Sequence, residues 1–257
     1  MNLDVRGALI DASANIASDV EIGPGVVVEA DVEVGSGSKL LVGTVLRSGT
    51  SLGRRCVVGP YAVIGGEPMD SAFHGEPSRV EIADEVTVRE FATVHRATGA
   101  GKVTSIGERT LVMSYVHVSH NTVVGHDVVL TAGAQLGGHS IVEEHAFIGA
   151  GAAMHQFCRV GRYAMFGAAS AINQDVLPFA MARGNPAKHL RLNRVGLQRA
   201  GFSEERYDAI ERAMRFLRRR DLPAVEELAA GSEDVAHIIE FIESSRRGYA
   251  RFASSGG

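Results

Sequence analysis

Residues 106–148 read IGERTLVMSYVHVSHNTVVGHDVVLTAGAQLGGHSIVEEHAFI, and every sixth residue of this stretch is a large aliphatic residue. The register extends in both directions, from Ile10 to Ile172, and 25 of its 28 positions carry a large apolar side chain. The exceptions are Asp70, Glu76 and Ala100. A period of six fits neither an α-helix, with a period of about 3.6, nor a lone strand, with a period of about 2. The repeat therefore predicts a solenoid of short strands and turns.

A second column of small or β-branched residues, such as Val26 and Ala62, stands two residues before the first. We expect both columns to face inward. Glycine often follows the large residue, as at Gly107 and Gly125, which fits a turn with unusual backbone dihedral angles. Each hexad is therefore interpreted as one strand and one turn. Three hexads close a triangular coil, and strands of successive coils lie about 4.8 Å apart.

Two interruptions, near residues 66–79 and 96–104, leave the register and return to it after whole hexads. Insertions in a repeat fold tend to line the binding face. The six-residue pattern stops after Pro178. We therefore predict a mainly β fold, a parallel β-helix over residues 1–180 with these two loops, followed by a small α-helical domain over residues 181–257.

Three helices are predicted in this second part. Ser203 and Ser232 can cap two of them, Pro223 can open a short one between, and Gly248 can close the last. The helical domain is expected to cover one end of the coil, because an open end would expose strand edges and core.

The composition excludes several classes of partner. The chain has 257 residues and a formal net charge of −4, which favours neither nucleic acid nor an anionic membrane. No stretch approaches the ~20 apolar residues that a membrane span needs, and the first residues do not form a signal peptide. Cys56 and Cys158 occupy the inward column too far apart for a disulfide. We expect a cytoplasmic protein with no membrane span.

Outward positions carry a concentration of histidines. Because residues 18 apart lie above one another after the second interruption, His120, Gly138 and Gln156 are expected to form a column, flanked by His139 and His155. An imidazole can remove a hydroxyl proton at neutral pH, and a glycine N–H can bind an oxyanion. For any one of these histidines, an ordinary hydrogen-bonded polar surface is the favoured explanation, whereas for the whole set that explanation is weaker.

Several stretches resemble the UDP-N-acetylglucosamine O-acyltransferases of lipid A biosynthesis, which use acyl groups carried on acyl carrier protein. They are GEPSRVEI (75–82), HR (95–96), HVSHNTVVG (117–125), GGHS (137–140), HQFCRVG (155–161), GNPA (184–187) and GLQRAGF (196–202). The resemblance implies a left-handed coil and a homotrimer with its site between protomers. It implies transfer of a (3-hydroxy)acyl group from acyl carrier protein to the 3-position of UDP-N-acetylglucosamine, without a cofactor or metal.

The resemblance also implies roles for individual residues. His120 would be the general base, and the Gly138 amide would hold the oxyanion. The sugar and nucleotide would be bound by Asp70, His117, His139, His155, Gln156, Asn193 and Arg199. Ala168 stands where the family limits acyl length with a glycine, so a shorter acyl chain is expected.

The sequence departs from the family pattern at several positions. Asn121 follows the histidine where the family has an aspartate, so a carboxylate that would orient the imidazole is missing. Ala72 replaces a lysine, and Val195 and Ala200 replace a glutamate and an arginine. Fewer charged contacts with the nucleotide are therefore expected.

Three other functions remain open at this point. A related enzyme could acylate a UDP-amino sugar and form an amide. A trimeric zinc enzyme resembling carbonic anhydrase shares the coil and uses histidines across an interface. An inactive scaffold would explain Asn121 and the missing charges.

A basic cluster near the end of the coil could bind an acidic carrier protein or be ordinary surface charge. Its members are Arg159, Arg162, Arg183, Lys188, Arg191 and Arg194.

Overall fold

The computed structural model describes residues 7–254, so the first six residues of the predicted β-helix and the last three of the predicted helical domain lie outside it. The strands are β1 (Leu9–Ile10), β2 (Asn15–Ile16), β3 (Glu21–Ile22), β4 (Val27–Val28), β5 (Glu33–Val34), β6 (Lys39–Leu40), β7 (Val45–Leu46), β8 (Thr50–Leu52), β9 (Val57–Val58), β10 (Val63–Gly66), β11 (Arg79–Ile82), β12 (Thr87–Val88), β13 (Thr93–His95), β14 (Val103–Ile106), β15 (Leu111–Val112), β16 (His117–Val118), β17 (Val123–Val124), β18 (Val129–Leu130), β19 (Gln135–Leu136), β20 (Ile141–Val142), β21 (Phe147–Ile148), β22 (Ala153–Met154), β23 (Arg159–Val160), β24 (Met165–Phe166), β25 (Ala171–Ile172), β26 (Ala180–Gly184) and β27 (Ala187–Leu192). The helices are α1 (Arg194–Arg199), α2 (Glu204–Arg219), α3 (Leu222–Ala229) and α4 (Glu233–Glu243).

Every third strand joins the same sheet, and the three sheets form a triangular coil. Sheet A runs from β1 through β4, β7 and onward to β25, sheet B from β2 to β23, and sheet C from β3 to β24. All pairs in these stacks are parallel. We name the edges of the coil after the sheets they connect. The A–B edge comprises the turns 119–122, 137–140 and 155–158 and the loops 67–78 and 96–102.

The two predicted inward columns form the core. Val112, Val118, Leu130 and Leu136 of the large column are fully buried, as are the small residues between them. Neither cysteine forms a disulfide, and both are buried.

The glycines that follow the large residues have a different purpose from the predicted one. Gly107 and Gly125 do not have positive φ angles. A Cβ on Gly107 would lie 2.6 Å from the carbonyl carbon of Gly125 on the next coil, so these glycines allow two backbones to approach closely. Left-handed backbone instead occurs three residues before the large side chain, for example at Tyr115 (φ 60°) and Asn121 (φ 57°). The prediction of unusual dihedrals at the glycine column was therefore wrong, except at Gly65 (φ 86°).

The strands extend further than the repeat pattern. β26 adds to sheet C in parallel, and β27 pairs with β26 in an antiparallel hairpin that ends at Leu192, whereas the helical domain was predicted to begin at residue 181. The hairpin explains the difference, because it needs no six-residue repeat to continue the sheet.

Four helices follow instead of the three predicted. Ser203 and Ser232 cap α2 and α4 as expected, while the short α1 was not foreseen. α4 ends at Glu243 and not near Gly248, because the chain turns back to the coil there. The Ser245 hydroxyl donates to Asp175 (2.6 Å), and the Ala250 N–H donates to the Asp175 carbonyl (2.8 Å).

Paired charges join the helices to the last coils. Glu143 accepts from His237 Nε2 (2.8 Å) and from Arg159 (3.1 Å), and Arg159 also lies over the ring of Phe241. Asp234 of α4 accepts from Arg162 at 3.2 Å.

Among residues 7–254, no helix has both the length and the apolar character that crossing a membrane would require.

Candidate active site

The A–B edge gathers seven of the ten predicted site residues. His120, Gly138 and Gln156 lie on successive coils, since the His139 N–H donates to the His120 carbonyl (3.0 Å) and the Phe157 N–H to the Gly138 carbonyl (2.9 Å). The imidazoles of His120 and His139 meet edge to face, with centroids 5.2 Å apart. His155 follows on the next coil, His117 is in β16, and Asp70 belongs to the loop 67–78.

His120 is held in one orientation. Its side chain is 8% exposed, and its Nδ1 lies 2.9 Å from Asn121 Oδ1. The Asn121 amide is itself fixed, because its Nδ2 donates to the Thr98 carbonyl (3.0 Å) and its Oδ1 accepts from the Thr98 N–H (2.9 Å). An amide oxygen only accepts, so Nδ1 carries the proton and Nε2 keeps a free lone pair.

The free nitrogen of His120 faces Gly138. A Cβ built on Gly138 would lie 2.5 Å from His120 Nε2, so any larger residue would occupy the space in front of the base. Among the described residues, the Gly138 N–H donates to no protein acceptor. The edge thus presents a proton acceptor and an unpaired N–H side by side, which is the arrangement that acyl transfer requires.

A carboxylate approaches the same imidazole from the loop. Asp70 Oδ2 lies 3.6 Å from His120 Nδ1. The N–H of Ala72 is the main cause of a lowered pKa for the Asp70 carboxyl, and Thr98, His120 and His139 lower it further. Asp70 is therefore negatively charged at neutral pH.

Two histidines beside His120, His117 and His139, are less basic than free imidazole. Burial lowers the pKa of His117 to about 4, with smaller effects from His95 and His120, and its Nδ1 lies 2.9 Å from the Thr93 hydroxyl. Burial also lowers the pKa of His139. His155 is exposed, and its Nδ1 donates to the Gln156 carbonyl (3.1 Å). His117 and His139 are therefore suited to hydrogen bonding in their neutral form.

The two inserted loops form one wall beside these histidines. Glu76 accepts from the Gly99 N–H (2.7 Å), and the Gly101 N–H donates to the Pro77 carbonyl (2.8 Å). Arg96 pairs with Glu67 at 3.5 Å. The predicted tendency of insertions to line one side of a repeat fold holds here, since both loops rise from the A–B edge.

Three predicted site residues lie outside the A–B edge. Asn193 is buried and caps α1, and its Nδ2 donates to the carbonyl of Tyr163 on the B–C edge (2.9 Å). Arg199 is exposed in the last turn of α1. Ala168 is exposed on the C–A edge. Neighbouring edges of one coil are six residues apart in sequence, and six extended residues span at most about 20 Å.

Sequence reasoning missed two residues of the site. Thr98, which fixes Asn121, lies in the second interruption, and that location was its only signal. Arg247 of the C-terminal segment donates to the Gln156 carbonyl (3.3 Å) and to the Asn173 carbonyl (2.8 Å). The adjacent cations at 246 and 247 gave no indication of this contact, because it depends on the return of the chain after α4.

The predicted basic cluster divides into two groups. Arg159 and Arg162 are paired with Glu143 and Asp234 at the junction between coil and helices, so they do not form a free surface. The others are exposed. Arg191 and Arg194 line a groove between the hairpin and α2, together with Arg215, Arg218, Met181, Leu190, Val195 and Tyr207.

The B–C edge repeats part of this arrangement six residues later. His126 Nδ1 donates to Asp127 (2.7 Å), and His126 and His145 meet edge to face as His120 and His139 do. However, Glu144 occupies the position that Gly138 has on the A–B edge. This second cluster therefore lacks the unobstructed glycine amide.

Metal ligands are also available at the A–B edge. Asp70, His120 and His139 each offer a ligand atom within 4.8 Å of the others. The zinc alternative thus has plausible donors, and the choice between the two chemistries depends on the relatives of the chain.

Comparison with known proteins gives a consistent result. Residues 175–250 match the family model described as UDP-N-acetylglucosamine O-acyltransferase, domain 2. An acyl-[acyl-carrier-protein]–UDP-N-acetylglucosamine O-acyltransferase of Thermodesulfovibrio yellowstonii is 42% identical, over 98% of this chain and 100% of that protein. One of the same name from Synechocystis is 37% identical, over 86% of this chain and 75% of that protein.

Solved structures agree with these relatives. UDP-N-acetylglucosamine acyltransferase from Francisella novicida superposes with a TM-score of 0.94 at 30% identity, covering 97% of this chain and 94% of that one. The enzyme from Bacteroides fragilis gives 0.91 at 33% identity, covering 95% and 98%. The predicted fold class, a left-handed parallel β-helix followed by a small helical domain, is confirmed.

Proposed function

The chain belongs to the acyl-[acyl-carrier-protein]–UDP-N-acetylglucosamine O-acyltransferase family, and we propose that its A–B edge carries out the transfer with His120 as general base. The protein transfers an acyl group from acyl carrier protein to UDP-N-acetylglucosamine in lipid A biosynthesis. The observation that carries the assignment of the site is the pairing of a free Nε2 with an unpaired Gly138 N–H. The 3-hydroxyl of the sugar is the proposed acceptor.

The first step is addition to the thioester. His120 Nε2 takes the proton of the sugar hydroxyl as its oxygen bonds to the acyl carbonyl carbon, and the carbonyl electrons move onto oxygen. The Gly138 N–H stabilises this oxyanion, as amide donors do in other acyl transfers. The intermediate then collapses, the carbon–sulfur bond breaks, and the carrier thiolate takes the proton back from His120. Acid–base catalysis of this kind contributes about 10²–10⁴-fold.

The remaining residues of the edge are proposed to bind the sugar. Asp70, His117, His139, His155 and Gln156 line the same side of the coil and offer charged or neutral hydrogen-bonding groups. The acyl donor is a co-substrate, and no separate cofactor or metal is proposed. A metal assay on active protein tests the latter.

A homotrimer is proposed because the nucleotide-binding residues and the histidines do not share an edge. Asn193 donates to Tyr163 on the B–C edge and begins the helix that contains Arg199, whereas His120 lies on the A–B edge. Protomers packed side by side around a threefold axis would bring the B–C edge of one chain to the A–B edge of the next. This supports nucleotide binding by Asn193 and Arg199 of an adjoining protomer.

Carrier-protein docking is proposed for the arginine groove beside α2. Its four arginines outnumber the one carboxylate that lines it, Glu211, and would attract an acidic partner, while its apolar residues would bury part of the contact. We also infer a cytoplasmic location, which the two unpaired cysteines support, because unpaired thiols are typical of reducing compartments.

The acyl chain is proposed to extend toward Ala168, which lies on the C–A edge, about 12 Å further along the axis of the coil than His120 on the A–B edge. A methyl group at this position shortens the space available, so a shorter acyl group than with glycine is expected.

The test is direct synthesis. Purified protein is incubated with UDP-N-acetylglucosamine and carrier proteins bearing acyl groups of several lengths, and products are identified by mass spectrometry. Ester product that hydroxylamine cleaves supports the proposal, and amide product from a 3-amino sugar alone would replace it with the amide-forming alternative. His120→Ala should lower kcat about 10²–10⁴-fold and leave a measurable residual rate, and full activity in this variant would overturn the assignment of the base. Ala168→Gly should shift the preference to longer chains.

A further inference from the structure

Position 121 presents a specific problem for catalysis. The imidazolium that forms at His120 during proton transfer gains stability from an adjacent negative charge, yet Asn121 is neutral. We propose that two positioning residues together replace the missing aspartate. Asn121 fixes the tautomer of His120 and Asp70 supplies the charge, with Thr98 connecting them. The proposal rests on His120 being the general base.

Asn121 provides the orientation of the base. Its backbone N–H donates to the Thr104 hydroxyl (2.8 Å), and its amide is fixed at both ends by the peptide groups of Thr98. This leaves Oδ1 facing His120 Nδ1 at 2.9 Å. The imidazole therefore cannot place its proton on Nε2, the nitrogen that must accept the hydroxyl proton.

Asp70 provides the negative charge. Its carboxylate comes from the other inserted loop and lies 3.6 Å from the same Nδ1. The Ala72 N–H holds one of its oxygens at 3.0 Å. An ion pair at this distance from a largely buried ring stabilises the charged imidazolium more than the neutral ring, so it acts in the transition state.

Thr98 connects the two groups. Its peptide fixes Asn121, while its hydroxyl lies 3.5 Å from His120 Nδ1 and contributes to the lowered pKa of the Asp70 carboxyl. One residue of the 96–102 loop thus fixes Asn121 and lies beside both His120 and Asp70.

At the B–C edge of the same chain, a single aspartate contacts the histidine, so that orientation and negative charge come from one residue. There an aspartate follows the histidine directly, and Asp127 accepts from His126 Nδ1 at 2.7 Å. Asp127 is also bound by Arg109 through two contacts of 2.9 and 2.8 Å. At position 121 the neighbouring group is the Thr98 carbonyl, which an aspartate cannot satisfy because a carboxylate has no proton to donate.

This contrast makes an unusual prediction for Asn121→Asp. Restoring the residue that the family pattern has should lower kcat, because one carboxylate oxygen would face the Thr98 carbonyl and shift the loop. A simple missing-carboxylate explanation expects the opposite result, an increase in kcat.

The experiment combines kinetics with a direct view of the proton. Asp70→Asn should lower kcat about 10- to 100-fold, and Asn121→Ala about 100-fold. Thr98→Val should lower kcat as well, with recovery in Thr98→Ser. Asp84→Asn is the matched control, because Asp84 also accepts a backbone N–H but lies on the B–C edge of an early coil. Thermal unfolding confirms that each variant is folded.

A double-mutant cycle separates charge stabilisation from sugar binding. If Asp70 acts through His120, Asp70→Asn should have no further effect on the residual kcat of His120→Ala. Nitrogen NMR of histidine-labelled protein, with His120 assigned by its loss in His120→Gln, should show a protonated Nδ1 in the unmodified protein and a tautomer mixture in Asn121→Ala.

Several results would overturn the proposal. If Asp70→Asn raises only the KM for the sugar, Asp70 acts in binding alone. The same conclusion follows if this substitution lowers the rate by the same factor in the unmodified protein and in His120→Ala. A protonated Nε2 in the unmodified protein would exclude the role of Asn121, and a higher kcat in Asn121→Asp would exclude the division of roles between Asn121 and Asp70. Full activity of His120→Ala would instead remove the general base on which the proposal rests.

Discussion

At the scale of single residues, the tip of the His120 imidazole packs closely against Gly138. The hypothetical Cβ at 2.5 Å from Nε2 shows that even a methyl group would obstruct the base. We therefore expect Gly138→Ala to lower kcat at least about 100-fold through loss of access to both the base and the N–H. Gly231→Ala is the control, because a Cβ there has no neighbour within 4 Å. Activity near that of the unmodified protein in Gly138→Ala would contradict the site.

A second residue-scale prediction concerns His189, which is fully buried. Its Nε2 accepts from the Leu177 N–H (2.9 Å), and its Nδ1 donates to the Ala250 carbonyl (2.8 Å). Burial lowers its pKa from 6.5 to about 4, so the unfolded chain binds this proton more readily. The free energy of unfolding should therefore fall as pH decreases from about 6.5 to about 4, by roughly 3 kcal/mol from this group.

The measurement is denaturant unfolding between pH 4 and pH 7. His189→Gln keeps a donor and an acceptor without a titrating ring, so its free energy of unfolding should depend less steeply on pH over this window. Equal slopes for both proteins would show that His189 does not contribute. His117, whose pKa burial also lowers to about 4, is present in both and cancels in the comparison.

At the scale of secondary structure, the repeat predicted nearly all of the coil because two local requirements recur in each hexad. The inward columns need apolar side chains of two sizes, and these are directly visible in the sequence. The reason for the glycine column was not visible, because it depends on the backbone of the next coil. Positions with left-handed backbone accept Tyr115, Asn121 and His139, so residue type did not reveal them.

This distinction predicts different costs for two glycine substitutions. Gly107→Ala would place a methyl group 2.6 Å from the backbone of Gly125, so we expect a loss of roughly 2–3 kcal/mol in the free energy of unfolding. Gly25→Ala has a positive φ of 68° but no atom nearer than 3.9 Å, so about 1 kcal/mol is expected. Chemical denaturation measures both, and the reverse order would restore the dihedral explanation.

The candidate site was predictable only where it follows the coil. The column of His120, Gly138 and Gln156 follows from counting residues, since their spacing equals one turn of the coil. The contacts of Thr98 and Arg247 do not, because each comes from a segment whose path no repeat determines. The α1 helix was missed for a similar reason, since at six residues it is too short to show a period.

At the scale of the whole molecule, the proposed homotrimer predicts that His120 of one protomer and Arg199 of the next belong to the same site. Mixed trimers of His120→Ala and Arg199→Ala protomers test this. Each variant alone lacks one group at every site, whereas random mixing would leave about one quarter of the sites with both groups intact. Recovery of activity on coexpression is expected. Failure to recover any activity, with mixed trimers verified by mass, would place both groups within one protomer.

The carrier-protein groove is the other whole-molecule prediction. Arg191→Glu combined with Arg194→Glu should raise the KM for carrier-bound acyl groups about tenfold and leave the KM for the sugar nearly unchanged. Lys39→Glu is the control, because Lys39 is an exposed cation of an early coil that pairs with Glu21. Equal changes in both KM values would assign the groove to another purpose.

The mutual hydrogen bonds of the two inserted loops have a consequence for engineering. Because Glu76 binds Gly99 and Gly101 binds Pro77, neither loop has a complete set of partners without the other. A chimera that receives one loop from a homologous enzyme would inherit half of an interlocking pair. Transplanted as a single cassette of 67–78 with 96–102, the pair would carry its own supports, and acceptor preference could be exchanged while the rest of the coil is left untouched.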